Sequence, residues 1–162
     1  MTSKRSFLPF VIAVSIGTTA CRSELLAPRP EPVTEPGPVI SLDQASYNWS
    51  LSGQVRWAIR NPQALPVYLI WPSDYVRLQR YDGGVWRDLP TWYAWALDQT
   101  MVHALAQGDS LVGSVPLTND VVPTSGWHRL VFLIYKDSAG TVMWPLGNRV
   151  TAAVWIGPSG GA

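Results

Sequence analysis

The chain has 162 residues, 47% of them hydrophobic and 14% charged, which is typical of about one globular domain and excludes a disordered chain. The net charge is +1, and loss of the first twenty residues with Lys4 and Arg5 would leave ten basic and eleven acidic side chains. This balance argues against a nucleic-acid partner, because binding to phosphates needs clustered lysines and arginines.

The N-terminus has the three parts of an export signal. Lys4 and Arg5 form a positive region, residues 7–16 a mainly apolar run, and residues 17–20 a zone of small residues suited to cleavage. A run of about ten residues is too short to cross a bilayer as a helix, which takes about 20. We therefore expect residues 1–20 to be a cleaved signal peptide.

The single cysteine, Cys21, directly follows Ala20 at the predicted cut. These residues resemble the lipobox of bacterial lipoproteins, in which the thiol receives a diacylglyceryl group and the new amine is then acylated. The resemblance implies lipidation of Cys21 and attachment to a membrane, because two or three acyl chains anchor firmly at roughly 0.8 kcal/mol per buried CH₂. Arg22, where Asp would favour retention, implies the outer membrane of a bacterial cell envelope that has one. A free thiol beside an ordinary signal peptide is the alternative.

Residues 21–38 are predicted to form the lipidated cysteine and a Pro-rich linker. Five of the twelve residues in 27–38 are prolines. Such a segment favours an extended polyproline conformation of about 3.1 Å per residue. We expect a tether that holds the following domain some tens of ångströms away from the membrane.

The pattern changes at Val39 to short runs of strand-favouring residues separated by turn residues, and it continues to residue 157 before a flexible tail at 158–162. The longest run, 125–135, is predicted to be a central strand with both faces largely covered. The other predicted strands are 39–42, 54–60, 67–71, 76–81, 85–89, 111–117 and 150–156.

Residues 91–107 allow two interpretations. Thr91 could cap a helix that ends before Gly108. Alternatively, a Trp-rich loop precedes a strand at 101–106. The sequence leaves the choice open.

Seven or eight short strands predict an all-β fold of two packed antiparallel sheets. Residues 39–157 resemble the Ig-like domains of bacterial cell-surface lipoproteins, which implies an Ig-like β-sandwich. The resemblance rests on the strand and Asn-Pro turn at 55–62, the hairpin at 82–86, the Leu105-x-x-Gly108 turn and Gly126-x-His128-Arg129. In that pattern His128 is usually a tyrosine whose hydroxyl caps a corner between strands. Either a ring N–H of His128 makes the same hydrogen bond, or Trp127 is the residue at this corner position.

No set of residues predicts catalysis, a metal site or a cofactor. Gly108-Asp109-Ser110-Leu111 matches the GDSL signature of a hydrolase family, but no Asp-x-x-His follows to supply a base. The favoured interpretation is a Gly-Asp turn between strands. The two histidines, His103 and His128, lie in no ligand spacing with Asp or Glu.

The predicted function is that of a non-catalytic surface lipoprotein that binds a protein partner or stabilises an envelope assembly. The nine tryptophans favour a carbohydrate-binding module as the alternative, and a proteinase-inhibitor-like domain is a third hypothesis. Trp57 is predicted to lie in the core. Trp92, Tyr93 and Trp95 are the candidate ligand-binding residues, because an extended chain would turn Trp92 away from the other two. The alternative is that a helix or a second layer buries them.

Overall fold

The computed structural model describes residues 26–49, 53–71, 76–89, 101–117, 122 and 124–158. This part of the chain is all-β, with one short 3₁₀ helix at Leu146–Asn148. No helix within it is long and apolar enough to span a membrane. The strands are β1 (Val39–Leu42), β2 (Ser46–Asn48), β3 (Gly53–Arg60), β4 (Val67–Trp71), β5 (Val76–Asp82), β6 (Val85–Asp88), β7 (Met101–Leu105), β8 (Ser110–Leu117), β9 (Gly126–Phe132), β10 (Ile134–Tyr135) and β11 (Val154–Gly157).

The strands of the described residues form three sheets around one core. Their orders are β1-β3-β8, β10-β4-β7 and β2-β11-β9-β5-β6, and every pairing is antiparallel except that of β2 with β11. With the exception of Val131, the buried apolar residues of all three sheets belong to a single cluster. The prediction of an all-β fold is confirmed, and the arrangement is consistent with a β-sandwich, but the described strands form three sheets instead of the predicted two and include one parallel pair.

Strand β3 shows how alternation in the sequence builds this core. Val55, Trp57 and Ile59 are buried and Arg56 and Arg60 are exposed, as expected for a strand with one covered face. The ring of Trp57, only 3% exposed, meets Phe132 of the five-stranded sheet edge to face at 5.0 Å. The predicted core position of Trp57 is confirmed.

The predicted central strand lies in the middle of the five-stranded sheet, but it is not continuous. His128, Leu130 and Phe132 are fully buried on its core side, and Arg129 and Val131 are nearly so on the other. Both faces are therefore largely covered over residues 128–132, as predicted. The run is divided at Leu133, because β9 pairs with β5 and β11 whereas β10 pairs with β4 in a different sheet.

Several boundaries differ from the prediction. The described residues form eleven strands, and the strands that were not predicted include β2 and β10, which are too short to show alternation. The last strand begins at Val154, not at residue 150. Residues 101–105 form strand β7, which decides against a helix there. The β5–β6 hairpin is confirmed, with Gly83 and Gly84 both at positive φ, as its two-residue turn requires.

Candidate functional site

Four aromatic residues lie in a row across the outer face of the five-stranded sheet. Trp155 of β11 pairs with Trp127 of β9, and Tyr81 of β5 pairs with Trp86 of β6. Because β9 and β5 are hydrogen-bonded neighbours, with Arg80 opposite His128, Tyr81 follows Trp127 in the same row. We call these four residues the aromatic row.

The rings of the aromatic row contact each other in pairs. Trp127 and Trp155 meet edge to face at 5.5 Å, and Tyr81 and Trp86 are tilted at 59° with centroids 5.1 Å apart. Such pairs stabilise by about 0.5–1.5 kcal/mol beyond the area that they bury. All four side chains are only half-buried, so each keeps part of its surface open to a partner.

A recess of about 450 Å³ opens at one end of the sheet, beside the row. Tyr81, Trp127 and Trp155 line it together with Arg80 and Asp82, and exposed Leu26 borders it. Its volume lies within the range of about 300–1,000 Å³ that small-ligand sites occupy. The recess therefore offers aromatic surface and charged groups side by side.

A second recess of about 490 Å³ lies between residues 30–40 and the loops of the domain. Prolines, glycines and small aliphatic residues provide most of its lining, and no aromatic side chain contributes. Specific sites usually combine aromatic surface with a few placed polar groups. The recess at the aromatic row is the better candidate on this ground.

Arg129 connects the aromatic row to the Pro-rich segment. Its guanidinium lies 4.4 Å from the ring centroid of Trp86, its Nε donates to Gln79 Oε1 at 2.7 Å, and its Nη1 donates to Glu31 Oε1 at 2.7 Å. The side chain is only 6% exposed. A charge buried to this degree is tolerated because a carboxylate and a second acceptor surround it.

Residues 26–38, predicted to be a tether, lie against the folded domain, and we call this segment the strap. Pro28, Gly37 and Pro38 are buried. Glu35 forms an ion pair with Lys136, and its carbonyl accepts from Asn148 Nδ2 at 3.0 Å. A Cβ on Gly147 would lie 2.1 Å from the carbonyl oxygen of Pro32. The strap therefore follows the domain along most of its length.

His128 lies beneath the aromatic row, on the core side of β9. Its Nδ1 donates to the carbonyl oxygen of Gly126 at 2.9 Å. This is a ring N–H bond to the backbone just upstream, one of the two arrangements predicted for the corner. Burial lowers the pKa of His128 to about 4, so the ring is neutral at pH 7 and serves packing and corner geometry.

The predicted site residues Cys21, Trp92, Tyr93 and Trp95 lie outside the described residues. The sequence indicates Trp127 only as the alternative to His128 at the corner and Trp86 only as the last residue of the hairpin at 82–86. Tyr81 and Trp155 were not singled out. The odd-numbered residues of β5 and of β9 share one face of their strand, so alternation could have placed Tyr81 and Trp127 on a common side. The sequence does not show which strands are neighbours in the sheet.

The Gly108-Asp109 pair forms a turn between β7 and β8. Gly108 has φ 84°, and the Asp109 carboxylate accepts from the backbone N–H of Ala106 at 3.1 Å. The predicted turn is confirmed. Within the described ranges, no three His, Cys, Asp or Glu side chains are grouped in a way that could hold a metal ion.

No family model and no curated protein matches the chain. The similar solved structures include the β-glucosidase of Listeria innocua in complex with gluconolactone, with glucose and with isofagomine, each with a TM-score of 0.35. The sequence identities are 17%, 15% and 17%, and each match covers 74% of this chain and 16% of the enzyme. The chain thus spans less than a fifth of those proteins, and a likeness this distant carries no argument about activity.

Proposed function

We propose that this protein is a non-catalytic lipoprotein of the bacterial cell envelope, anchored through Cys21 in the outer membrane where one is present. Its Ig-like β-sandwich domain binds a protein partner through the aromatic row. The observation that carries the proposal is the row of four half-buried rings beside an open recess. Tyrosine and tryptophan are enriched among the residues that dominate protein interfaces.

The Ig-like assignment is supported by two turns that the sequence separates widely. Asn61 Nδ2 donates to the carbonyl oxygen of Leu105 at 2.8 Å, and the backbone N–H of Gly108 donates to the carbonyl oxygen of Asn61 at 2.7 Å. The Asn-Pro turn and the Leu105-x-x-Gly108 turn thus form one corner of the domain. Both belong to the pattern that resembles bacterial surface domains.

A protein partner is favoured over a flat polysaccharide surface by the ring geometry. Trp127 and Trp155 are nearly perpendicular, with 81° between their planes. Rings at right angles cannot form one flat platform for stacked sugar rings. They can instead enclose a side chain of a partner, as aromatic anchors at protein interfaces do.

A carbohydrate-binding module is the second candidate, and the recess is the observation that favours it. Aromatic surface from Tyr81 and Trp127 lies beside the charged groups of Arg80 and Asp82. This combination suits a single sugar ring, which needs one stacking surface and several hydrogen-bonding groups. A short glycan end would fit there better than an extended chain.

The proposal is tested with Tyr81→Ala and Trp155→Ala in the intact chain, with Trp144→Ala as the matched control. Trp144 is also half-buried, but it packs against Lys136 away from the aromatic row. Binding is measured to fractionated envelope proteins and to a glycan array. We expect the affinity for a protein ligand to fall about 30-fold in Tyr81→Ala and in Trp155→Ala, which is equivalent to a hot spot of about 2 kcal/mol. The control should change little.

Three outcomes of this test would contradict the proposal. Binding to glycans alone would select the carbohydrate module. Inhibition of a protease panel by the wild-type chain would select the inhibitor-like domain. An equal loss of binding in all three variants would show that the aromatic row is not the binding surface.

The anchor is tested separately with Cys21→Ser. Acylated wild-type protein should fractionate with membranes, and its Cys21-containing peptide should carry the mass of the lipid. The variant should be soluble or remain uncleaved. A soluble wild-type chain that begins elsewhere would contradict lipidation.

A further inference from the structure

We propose that the recess end of the domain faces the membrane and rests on the lipid headgroup layer, held there by the docked strap. The inference deepens the proposed function and rests on its lipid anchor at Cys21. It concerns the orientation of the domain and the surface that its recess end contacts.

The strap shortens the reach of the anchor. Cys21 and Val39 are eighteen residues apart, which would allow about 55 Å in a polyproline conformation. Contacts at Pro28 and Glu31 attach the strap to the domain, and Leu26 already lies at the recess. The chain from Cys21 to Leu26 spans five residues, at most about 18 Å.

The direction of the strap defines which end is near the anchor. It starts at the recess with Leu26, bonds to Arg129 in the middle of β9, and reaches Lys136 beyond β10. Because β9 starts at Gly126, which also lines the recess, the strap and β9 run in the same direction. The loop after β10 therefore lies at the far end, about 20 Å away along β9 alone.

The recess end has the composition of a surface that contacts a bilayer interface. Leu26 is 78% exposed, and Trp127 and Trp155 lie beside it. Tryptophan favours the headgroup level because its ring is apolar and carries one N–H group. An exposed leucine beside such rings adds apolar area that lipid can cover.

Charge does not oppose this contact. At the hairpin tip, Asp82 lies 3.5 Å from Arg87, so its carboxylate is paired. Arg80 bonds to Thr124 at the same end. Anionic headgroups would thus meet a surface with no excess of negative charge among these residues. A protein partner of the aromatic row would then be met at the membrane surface.

The test uses the lipidated chain, in which an acylated Cys21 leaves no free thiol. Val85→Cys and Val142→Cys each add one labelling site. The two valines are equally exposed, at 50%, but Val85 follows the hairpin turn at the recess end and Val142 lies in the loop at the far end. Each variant is labelled with a nitrobenzoxadiazole dye and reconstituted into phosphatidylethanolamine–phosphatidylglycerol vesicles that contain a headgroup-linked nitroxide quencher.

We expect quenching roughly threefold stronger at Val85 than at Val142, because the two ends are separated by about 20 Å or more. Ten Gly/Ser residues inserted after Glu24 should reduce this difference, since the anchor then no longer limits the reach. Equal quenching at both sites, or stronger quenching at Val142, would overturn the orientation while leaving the anchor in place. Persistence of the full difference in the insertion variant would overturn the role of the strap. Uptake of dye by the parent chain, whose only thiol is Cys21, would contradict the lipid anchor itself, and the orientation with it.

Discussion

Replacing Asn61 by alanine should destabilise the domain more than any comparable change at an exposed asparagine. Asn61 is fully buried. Its Nδ2 donates to the carbonyl oxygens of Leu65 at 2.9 Å and Leu105 at 2.8 Å, and its Oδ1 accepts from the N–H of Gln63 at 2.9 Å. The side chain thus connects two turns that lie 44 residues apart.

The size of the stability loss follows from the hydrogen-bonding groups that alanine leaves without a partner. The carbonyl of Leu105 loses a buried donor, which costs about 1–3 kcal/mol. The bonds to Leu65 and Gln63 are partly buried, so water replaces them in part and each contributes about 0.5–1 kcal/mol. We therefore expect a decrease of about 2–5 kcal/mol in the free energy of unfolding.

Asn61→Asp tests the effect of hydrogen bonding while the size of the side chain stays nearly the same. The aspartate keeps an acceptor for Gln63 but places a carboxylate against the carbonyls of Leu65 and Leu105, which disfavours its charged form and raises its pKa in the folded state. A carboxyl with a raised folded pKa loses stability as pH rises above its unfolded value of about 3.9. The deficit of Asn61→Asp relative to Asn61→Ala should therefore grow from pH 4 to pH 7.

Urea unfolding of the Cys21→Ser chain at the two pH values measures these differences. Asn48→Ala is the control, because Asn48 is exposed at the edge of a sheet and should change stability by no more than about 0.5 kcal/mol. A loss below about 1 kcal/mol for Asn61→Ala would refute the reasoning, since the free energy of one unsatisfied buried carbonyl alone reaches that value. Wild-type stability of Asn61→Asp at pH 7 would refute it equally.

Two further predictions concern buried charge. Because burial lowers the pKa of His128 to about 4, its unfolded form takes up a proton first as the solution is acidified. This group should leave stability unaffected above about pH 7 and lower it by about 2–3 kcal/mol by pH 4.5. Urea unfolding of His128→Gln, which lacks the titration, should show a correspondingly smaller loss of stability in acid, and identical pH profiles would contradict this. Glu31→Ala leaves Arg129 buried without its carboxylate and should cost about 1–3 kcal/mol in thermal or urea unfolding, the usual cost of a buried group that loses its hydrogen-bond partner. Glu35→Ala opens a half-exposed pair with Lys136 and should cost less than about 1 kcal/mol; equal losses would show that the burial of Arg129 is unimportant.

Local patterns predicted the features that depend on a few neighbouring residues. Alternation in β3 is enough to place Val55, Trp57 and Ile59 in the core, because a strand with one covered face must bury every second side chain. The turn at Gly83-Gly84 was predictable for a similar reason, since only residues tolerant of positive φ suit that hairpin. These rules act over two to eight residues and need no knowledge of the rest of the chain.

Tertiary structure decided everything that depends on which strands become neighbours. The aromatic row combines residues from four strands. Alternation within each strand indicates only on which side of that strand the ring lies. The division at Leu133 depends on the partners of β9 and β10, whereas composition within 125–135 favours one strand throughout. The prolines of the strap predict a tether because they favour an extended chain, but an extended chain can also pack against a folded domain. It packs here because Glu31 reaches Arg129, 98 residues away, and a contact at that separation is specified by the folded sheet rather than by the local sequence.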